Sequence, residues 1–164
     1  MLTAGRAALL RVVGPDIVAC LGLVRAIHQH VLRMDLTRGP VLSTPEALRN
    51  YLIGTLAHQP AEHFRVLFLN ARNELLQDEL MSVGSTTGAA VYPREVLKRA
   101  LELGATALIV AHNHPSGDPH PSRSDIAATL RLAHAASLFD IAMHDHFIVG
   151  ASGCNSMREL GYLQ

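Results

Sequence analysis

The sequence has little cysteine and no concentration of charge of one sign. Its two cysteines, Cys20 and Cys154, do not form a C-x-x-C pair. Isolated cysteines are typical of a reducing compartment rather than of a disulfide scaffold, and Cys20 lies in an apolar run that predicts a core position. The formal net charge is +0 at pH 7. This balance disfavours a nucleic-acid binder that depends on a basic face.

Internal repeats and low-complexity tracts are also missing. We judge that no apolar stretch is long and charge-free enough to span a bilayer. Arg11 and Asp16 interrupt the apolar N-terminus where a signal peptide would need its core. Hydrophobic residues make up 49% of the 164 residues, which is enough for one domain with a proper core. We therefore expect a soluble, cytoplasmic protein without membrane association.

A short turn-rich stretch at residues 37–40 is the one weak boundary in the chain. Residues 1–40 are expected to form a helical N-terminal segment, with a helix over 17–32, and residues 41–164 a single domain. Within that domain the turn and apolar patterns predict eight further elements. They are a capped helix from about 43 to 57, strands over 62–70 and 75–83, a helix over 93–104, a strand over 105–111, a helix over 122–138 and a strand over 141–149, with a short closing helix over 156–160. This order predicts an α/β (α+β) fold with a mixed sheet flanked by helices.

The motif with the clearest chemistry follows the apolar run 107–111. It reads H-x-H-x7-S-x-x-D and comprises His112, His114, Ser122 and Asp125. Side chains two apart on an extended chain point the same way, so both imidazoles can reach one ion. Asp125 enters from the first turn of the next helix as a third ligand. Three protein ligands with one position left for water are the arrangement of a catalytic zinc.

Each part of this motif also has a structural explanation. Ser122 and Asp125 form an S-x-x-D pair, which is a capping box in form. His114 precedes a proline and could be a loop histidine, as we expect for His120. The coincidence of two strand-end histidines with a capping pair favours the metal site, and Ser122 can cap the helix while offering its hydroxyl to the site.

A metal-activated water needs a proton acceptor, and Glu62 is the best candidate. It begins a predicted strand beside the apolar run that should be central in the sheet, although a carboxylate at the start of a strand is often simply exposed. The remaining acids are expected at the surface or in helix caps: Glu74, Asp78 and Glu79 in or beside the hairpin, and Glu46, Glu95 and Glu102 in helices.

Several other polar residues allow two interpretations each. Asp145 and His146 could orient a ligand histidine from the last strand, or they could alternate toward solvent. Residues 85–87 (Ser, Thr, Thr) could line a substrate groove or form a polar loop. His134 and His144 have no motif around them and are expected to be structural.

At these residues the chain resembles a known family. H-x-H-x7-S-x-x-D with an upstream Glu resembles the JAMM motif of MPN/JAB-domain metalloproteins. Three further blocks resemble the RadC-like branch from about Val41 to the end of the chain: EHFRVLFLN, VYPREVLKRALELGATALIVAHNHPSGDPHPSRSD and DHFIVG. Residues 1–40 are too short for the N-terminal helix-hairpin-helix region of that branch, and on this resemblance they are a helical remnant.

The resemblance implies a zinc hydrolase core with a JAB/cytidine-deaminase-like mixed sheet. It implies that His112, His114 and Asp125 bind Zn2+, that Glu62 is the general acid/base, and that Ser122 hydrogen-bonds the oxyanion. Cleavage of a peptide or isopeptide bond in a peptide or protein substrate is the reaction it favours.

Two other functions stay open on the sequence. One is a non-catalytic DNA-repair or recombination accessory module, which the family label suggests and the neutral charge does not support. The other is an HNH nuclease, suggested only by the letters of residues 112–114. The substrate and the oligomeric state do not follow from the sequence.

Overall fold

The computed structural model describes residues 9–84 and 91–163; residues 85–87, discussed above as a possible groove lining, lie outside this part of the chain. The helices are α1 (Pro15–Leu36), α2 (Pro45–Leu56), α3 (Pro93–Leu103) and α4 (Arg123–Ser137). The strands are β1 (His63–Leu69), β2 (Leu75–Val83), β3 (Ala107–Asn113), β4 (Ala142–Gly150) and β5 (Gly153–Ser156). A short 3-10 turn at Val41–Ser43 joins α1 to α2.

The five strands form one mixed sheet in the order β2-β1-β3-β4-β5. Strands β3 and β4 are parallel and are connected through α4, whereas the other neighbours are antiparallel. This arrangement confirms the predicted fold class, a mixed sheet flanked by helices.

Strand β3 lies at the centre of the sheet and is buried along its whole length. Its side chains alternate between two cores. Ile109 and Ala111 pack in the core that includes α2, and Leu108 and Val110 pack in the core that includes α3 and α4. The same alternation places His112, at the end of the strand, on the α4 face. The buried sheet therefore fixes the direction of the first motif histidine.

The helix boundaries follow from local signals. Proline occupies the first turn of α1, α2 and α3, where its missing N–H is not needed. Gly104 ends α3 in the left-handed region, with φ 65°, as the sequence predicts. The hydroxyl cap predicted for α2 is absent: Thr44 makes no capping bond, and the Ser43 hydroxyl donates to Pro40 O instead, at 2.6 Å.

The C-terminal end differs from the prediction. Instead of a helix over 156–160, Gly153–Ser156 forms a strand antiparallel to β4, and residues 157–160 form turns. The reason is Asp145, whose carboxylate accepts a hydrogen bond from Ser156 Oγ (2.5 Å) and another from the backbone N–H of Arg158 (3.0 Å). These two bonds hold the backbone in a turn.

Two burial predictions are also wrong. Cys20 is exposed, because the apolar sequence of α1 does not tell which side of the helix packs on α2. Asp78, expected in solvent, is buried. Its charge is compensated by Arg65, whose Nη2 lies 2.9 Å from Asp78 Oδ1, and by the hydroxyl of Tyr51, which donates to Oδ2. Burial together with this carboxylate raises the pKa of Tyr51 to about 12.

Helix α1 exposes an apolar surface that includes Ile17, Val24, Ile27, Val31 and Met34. Contrary to the sequence expectation, its length and composition would allow it to cross a membrane, and little of the helix is buried. Length and apolar composition alone do not make α1 a membrane span, because core helices of soluble proteins and signal sequences share both properties.

Candidate metal centre

The predicted metal ligands meet at the end of the central strand. His112 is the penultimate residue of β3, His114 follows the strand by one residue, and Asp125 is in the first turn of α4. One ligand atom from each of the three lies within 4.8 Å of the other two. His112 Nε2 is 3.5 Å from Asp125 Oδ1, and His114 Nε2 is 3.3 Å from Asp125 Oδ2. The sequence had placed His112 in the loop, but pairing with β4 extends β3 to Asn113.

The orientation of His114 is set by the loop that follows it. Its Nδ1 lies 2.8 Å from the backbone carbonyl oxygen of Asp118. A carbonyl can only accept a hydrogen bond, so Nδ1 carries the ring proton and the Nε2 lone pair faces the site. His112 is turned in the same sense, because its Nδ1 contacts His146 Nε2 at 2.8 Å, on the side away from the site.

The atoms that converge on the centre are therefore acceptors. The two Nε2 atoms of His112 and His114 are 3.0 Å apart, and the Asp125 carboxylate faces both. Acceptors brought this close are stabilised by a cation between them. Two imidazole nitrogens and a carboxylate oxygen are ligand types that fit a divalent transition metal such as zinc.

The electrostatics hold His112 and Asp125 in the protonation states that a metal requires. Burial lowers the pKa of His112 to about 4, so its imidazole is neutral at physiological pH. Burial alone would raise the pKa of Asp125, but the hydrogen bonds with His114 and Ser122 outweigh it and hold that pKa well below the ordinary value. The Asp125 carboxylate beside the His114 ring raises the pKa of His114, because it favours positive charge at this position.

Ser122 and Asp125 form the capping box that the sequence predicts. Ser122 Oγ accepts from the Asp125 backbone N–H (3.2 Å), and Asp125 Oδ2 accepts from the Ser122 N–H (2.7 Å). The Ser122 hydroxyl also lies 2.6 Å from Asp125 Oδ2 and 2.7 Å from Ser124 Oγ. The box fixes the position of the carboxylate and leaves Ser122 exposed at the edge of the site.

Glu62 lies at the other side of the centre, directly before β1. Its Oε1 is 4.0 Å from His112 Nε2, and its side chain is 12% exposed. Asn113, between the two histidines, holds this segment in place. Asn113 Oδ1 accepts from the N–H of His63 (2.9 Å), while Nδ2 donates to the carbonyl of Ala61 (3.1 Å). The residues on both sides of Glu62 are thus bound to the strand that carries the histidines.

These two hydrogen bonds, called the Asn113 clamp below, could not be predicted from the sequence, because the bonded residues are 50 and 52 positions apart. The same hydrogen bonds argue against an HNH nuclease motif at residues 112–114. The amide of Asn113 is engaged with the backbone before β1, so it does not join the two histidines in one site.

A cavity of about 220 Å³ opens beside the ligands. Phe64, Val91 and Ala128 give it apolar walls, and the guanidinium-bearing Arg131 also lines it. It contacts His112 and Asp125, so a molecule bound there would lie against the metal centre.

The other polar residues considered in the sequence analysis have defined contacts in the structure. His146 contacts His112, whereas Asp145 points to the C-terminal turn, as described above, and does not orient a ligand. His120 lies in the loop and pairs with Asp118 at 2.7 Å. His144 Nε2 contacts Asn73 Oδ1 at 2.7 Å, on the hairpin side of the sheet. The expectation of a structural role for His144 agrees with this contact.

A mixed sheet with an H-x-H at the end of its central strand and an Asp in the next helix defines a JAB-type domain with a candidate metal site. The model of the RadC-like JAB domain matches residues 42–162. A protein from Rhodobacter capsulatus named UPF0758 protein is 47% identical over 151 residues, which cover 92% of this chain and 71% of the relative. The chain belongs to the RadC-like JAB domain family.

Proposed function

We propose that this protein is a zinc-dependent metallohydrolase of the JAMM type that cleaves peptide or isopeptide bonds with an activated water. The observation that supports this most strongly is the convergence of two Nε2 atoms and one carboxylate, next to Glu62 and an open cavity. His112, His114 and Asp125 hold the metal. Zinc bound by three protein ligands supplies a Lewis acid that polarises a carbonyl and lowers the pKa of water toward neutrality.

Glu62 acts as the general acid/base in this proposal. The Glu62 carboxylate oxygen, 4.0 Å from His112 Nε2, is too far for a direct hydrogen bond with that nitrogen but lies beside the position where a water would be activated. Glu62 takes a proton from the attacking water and returns it to the leaving amine. Its segment is clamped by Asn113, so the carboxylate is held in place without a metal contact of its own.

Ser122 donates a hydrogen bond to the oxyanion of the tetrahedral intermediate. Its hydroxyl is exposed and lies beside Asp125, so rotation about the Cβ–Oγ bond would turn the O–H from Oδ2 toward a bound substrate. A donor aimed at developing negative charge is the largest electrostatic contribution in many acyl transfers.

The test is hydrolysis of peptide libraries and of isopeptide-linked peptides by the zinc-loaded protein, followed by mass spectrometry. We expect Glu62→Gln to bind zinc like the wild type and to lower kcat by roughly 10²–10⁴-fold. Glu74→Gln, which changes a carboxylate of the hairpin, is the matched control and should retain full activity. Undiminished turnover by Glu62→Gln would contradict the mechanism.

The alternative function, a non-catalytic DNA-repair or recombination module, predicts different results in these experiments. It predicts no cleavage of any amide substrate, together with binding to single-stranded or branched DNA that weakens with salt. The neutral charge of the chain supports the hydrolase over this alternative.

A cytoplasmic location belongs to the same proposal and rests on the cysteines. Cys20 and Cys154 are both free thiols. Burial raises the pKa of Cys154 to about 12, so this thiol stays protonated and unreactive.

A further inference from the structure

A chain of buried hydrogen bonds runs behind the metal centre and joins two of its ligands. His146 lies on β4 next to β3, with Val110 as its partner in the parallel register. Its Nε2 is 2.8 Å from His112 Nδ1, and its Nδ1 is 2.6 Å from Thr129 Oγ1. Thr129 Oγ1 in turn donates to the backbone carbonyl of Asp125, at 2.6 Å. The chain therefore starts at one metal ligand and ends at the backbone of another.

The members of this chain are well enclosed. His146 and Thr129 are each 2% exposed. The edge of the Phe64 ring packs against the His146 ring, with centroids 6.0 Å apart and an interplanar angle of 88°. The two ring nitrogens of His146 contact the His112 ring and the Thr129 hydroxyl, neither of which is a carboxylate, so the buried ring is neutral and carries one proton.

The direction of the hydrogen bonds follows from the carbonyl at the end of the chain. A carbonyl oxygen has no hydrogen to donate, so the single Thr129 hydroxyl hydrogen points to Asp125 O. The hydroxyl oxygen then accepts from His146, whose proton is on Nδ1. His146 Nε2 has only a lone pair and must accept from His112 Nδ1. The proton of His112 is consequently on Nδ1, and its Nε2 is free to bind a metal.

If these hydrogen bonds ran in the reverse direction, His112 could not bind a metal through Nε2. If Thr129 donated to His146, the proton of His146 would lie on Nε2 and the proton of His112 on its own Nε2, which faces the site. The two tautomers of His112 thus differ in whether a metal can bind, and a buried hydroxyl that donates to a carbonyl selects one of them.

We propose that Thr129 and His146 are positioning residues that lock His112 in the Nδ1–H tautomer and so present its Nε2 to the metal. Thr129 does not line the cavity beside the ligands, and His146 lines it next to His112; in this proposal both residues act through His112. The inference deepens the proposed function and rests on it for the metal, but the tautomer is a property of the protein before a metal is added.

The matched pair of variants is Thr129→Val and Thr129→Ser. Valine keeps the shape of threonine and removes the hydroxyl, whereas serine keeps the hydroxyl. The first measurement is the 15N NMR spectrum of the histidine rings in metal-free protein. We expect His112 to be protonated on Nδ1 in the wild type and in Thr129→Ser, and to have a mixture of tautomers in Thr129→Val. Protonation of wild-type His112 on Nε2 would overturn the proposal, whether or not the protein binds zinc.

The second measurement is the Kd for zinc by competition with a chromophoric chelator. Partners behind a metal ligand typically contribute 10–100-fold in affinity. We expect a weakening of roughly this size in Thr129→Val, and wild-type affinity within a few-fold in Thr129→Ser. Equal affinity in all three proteins would refute the role of the hydroxyl.

If Thr129→Val fails to fold, the proposal is tested with His146→Gln instead. The glutamine carbonyl can accept from His112 Nδ1, so this variant should retain more zinc affinity than His146→Leu, which leaves His112 without a partner. Equal loss in both His146 variants would indicate a packing role and overturn the proposal. A wild type that binds no zinc refutes the proposed function, while the NMR result still decides the tautomer.

Discussion

Asn113 separates the two ligand histidines in the sequence and faces the other side of the sheet. We expect Asn113→Ala to lower the free energy of unfolding by roughly 2–4 kcal/mol, because buried hydrogen bonds are lost at Ala61 and His63. Urea unfolding of metal-free protein measures this change. Asn155→Ala, which removes one hydrogen bond to Pro119 O, is the control and should cost about 1 kcal/mol.

The Asn113 clamp also predicts a functional change that is separate from stability. With Glu62 released, Asn113→Ala should bind zinc normally and lose most of its turnover at a temperature where it is folded. Full turnover by the folded variant would show that Asn113 does not position Glu62.

The ligand set could be predicted at the residue scale because its geometry is local. Alternation along a strand places His112 and His114 together, and the capping box places Asp125 in the first turn of α4. For the partners behind the ligands, the sequence left His146 with two interpretations and gave no indication of Thr129. His146 is 34 residues from His112, and their contact depends on the parallel pairing of β3 and β4. The available signal was a histidine directly before the apolar run of residues 147–149.

The start of helix α4 carries both a structural and a proposed catalytic residue. Ser122→Ala removes the N-cap hydroxyl, so we expect it to cost about 1 kcal/mol of stability. If Ser122 also stabilises the oxyanion, kcat should fall by a further 10²-fold or so under conditions where the variant is folded.

Ser122→Thr keeps both the cap and the hydroxyl and is the control for each effect. Thermal unfolding and steady-state kinetics separate the two contributions. A Ser122→Ala variant that is less stable but has unchanged kcat would assign the residue to capping alone.

The loop between β3 and α4 is held against β4 at Gly150. A Cβ added to Gly150 would lie 2.3 Å from Gly117 O and 2.8 Å from Pro119 N, both of them backbone atoms. We expect Gly150→Ala to displace the loop that orients His114 and to weaken zinc binding at least about tenfold, with a loss of stability of roughly 1–3 kcal/mol.

Gly22→Ala is the matched control for this change. Gly22 lies in α1, and an added Cβ meets nothing within 4 Å. Alanine is favoured over glycine in a helix by about 1 kcal/mol, so this variant should be slightly more stable and bind zinc normally. Zinc binding by Gly150→Ala at wild-type affinity would show that His114 does not depend on the loop.

Most helices and strands could be predicted from sequence at the scale of elements. Strand β1 and helix α3 have strong local signals, in a short run rich in Val, Leu and Phe and in the Pro and Gly at the helix ends. Strand β5 could not, because four residues beginning with a glycine carry too short a pattern. Its formation depends on pairing with β4 and on the hydrogen bonds of Asp145. Both are tertiary contacts, which a local sequence pattern does not reveal.

The whole molecule should lose stability in mild acid because it buries neutral histidines. Burial lowers the pKa of His112 from 6.5 to about 4 and lowers that of His146 as well. Between these pH values the unfolded chain binds protons that the folded chain excludes, so stability falls as the pH falls. One pKa unit corresponds to about 1.4 kcal/mol, and His112 alone should account for a loss on the order of 2–3 kcal/mol.

Urea unfolding at a series of pH values, with a chelator present, measures this loss. The pKa of His114 is raised, so its stabilising contribution is lost only above its ordinary pKa, outside this window. A double variant, His112→Gln with His146→Gln, should have a shallower dependence on pH. A flat profile for the wild type would contradict the burial of neutral imidazoles.

The measurement that tests the central claim most directly is the metal content of the purified protein beside a His112→Ala/His114→Ala double variant. The account predicts about one zinc per chain in the wild type and none above background in the folded variant, as determined by mass spectrometry of the bound metals. A wild type that carries no metal and takes up none when zinc is offered, or a double variant that retains it, would contradict the metal centre.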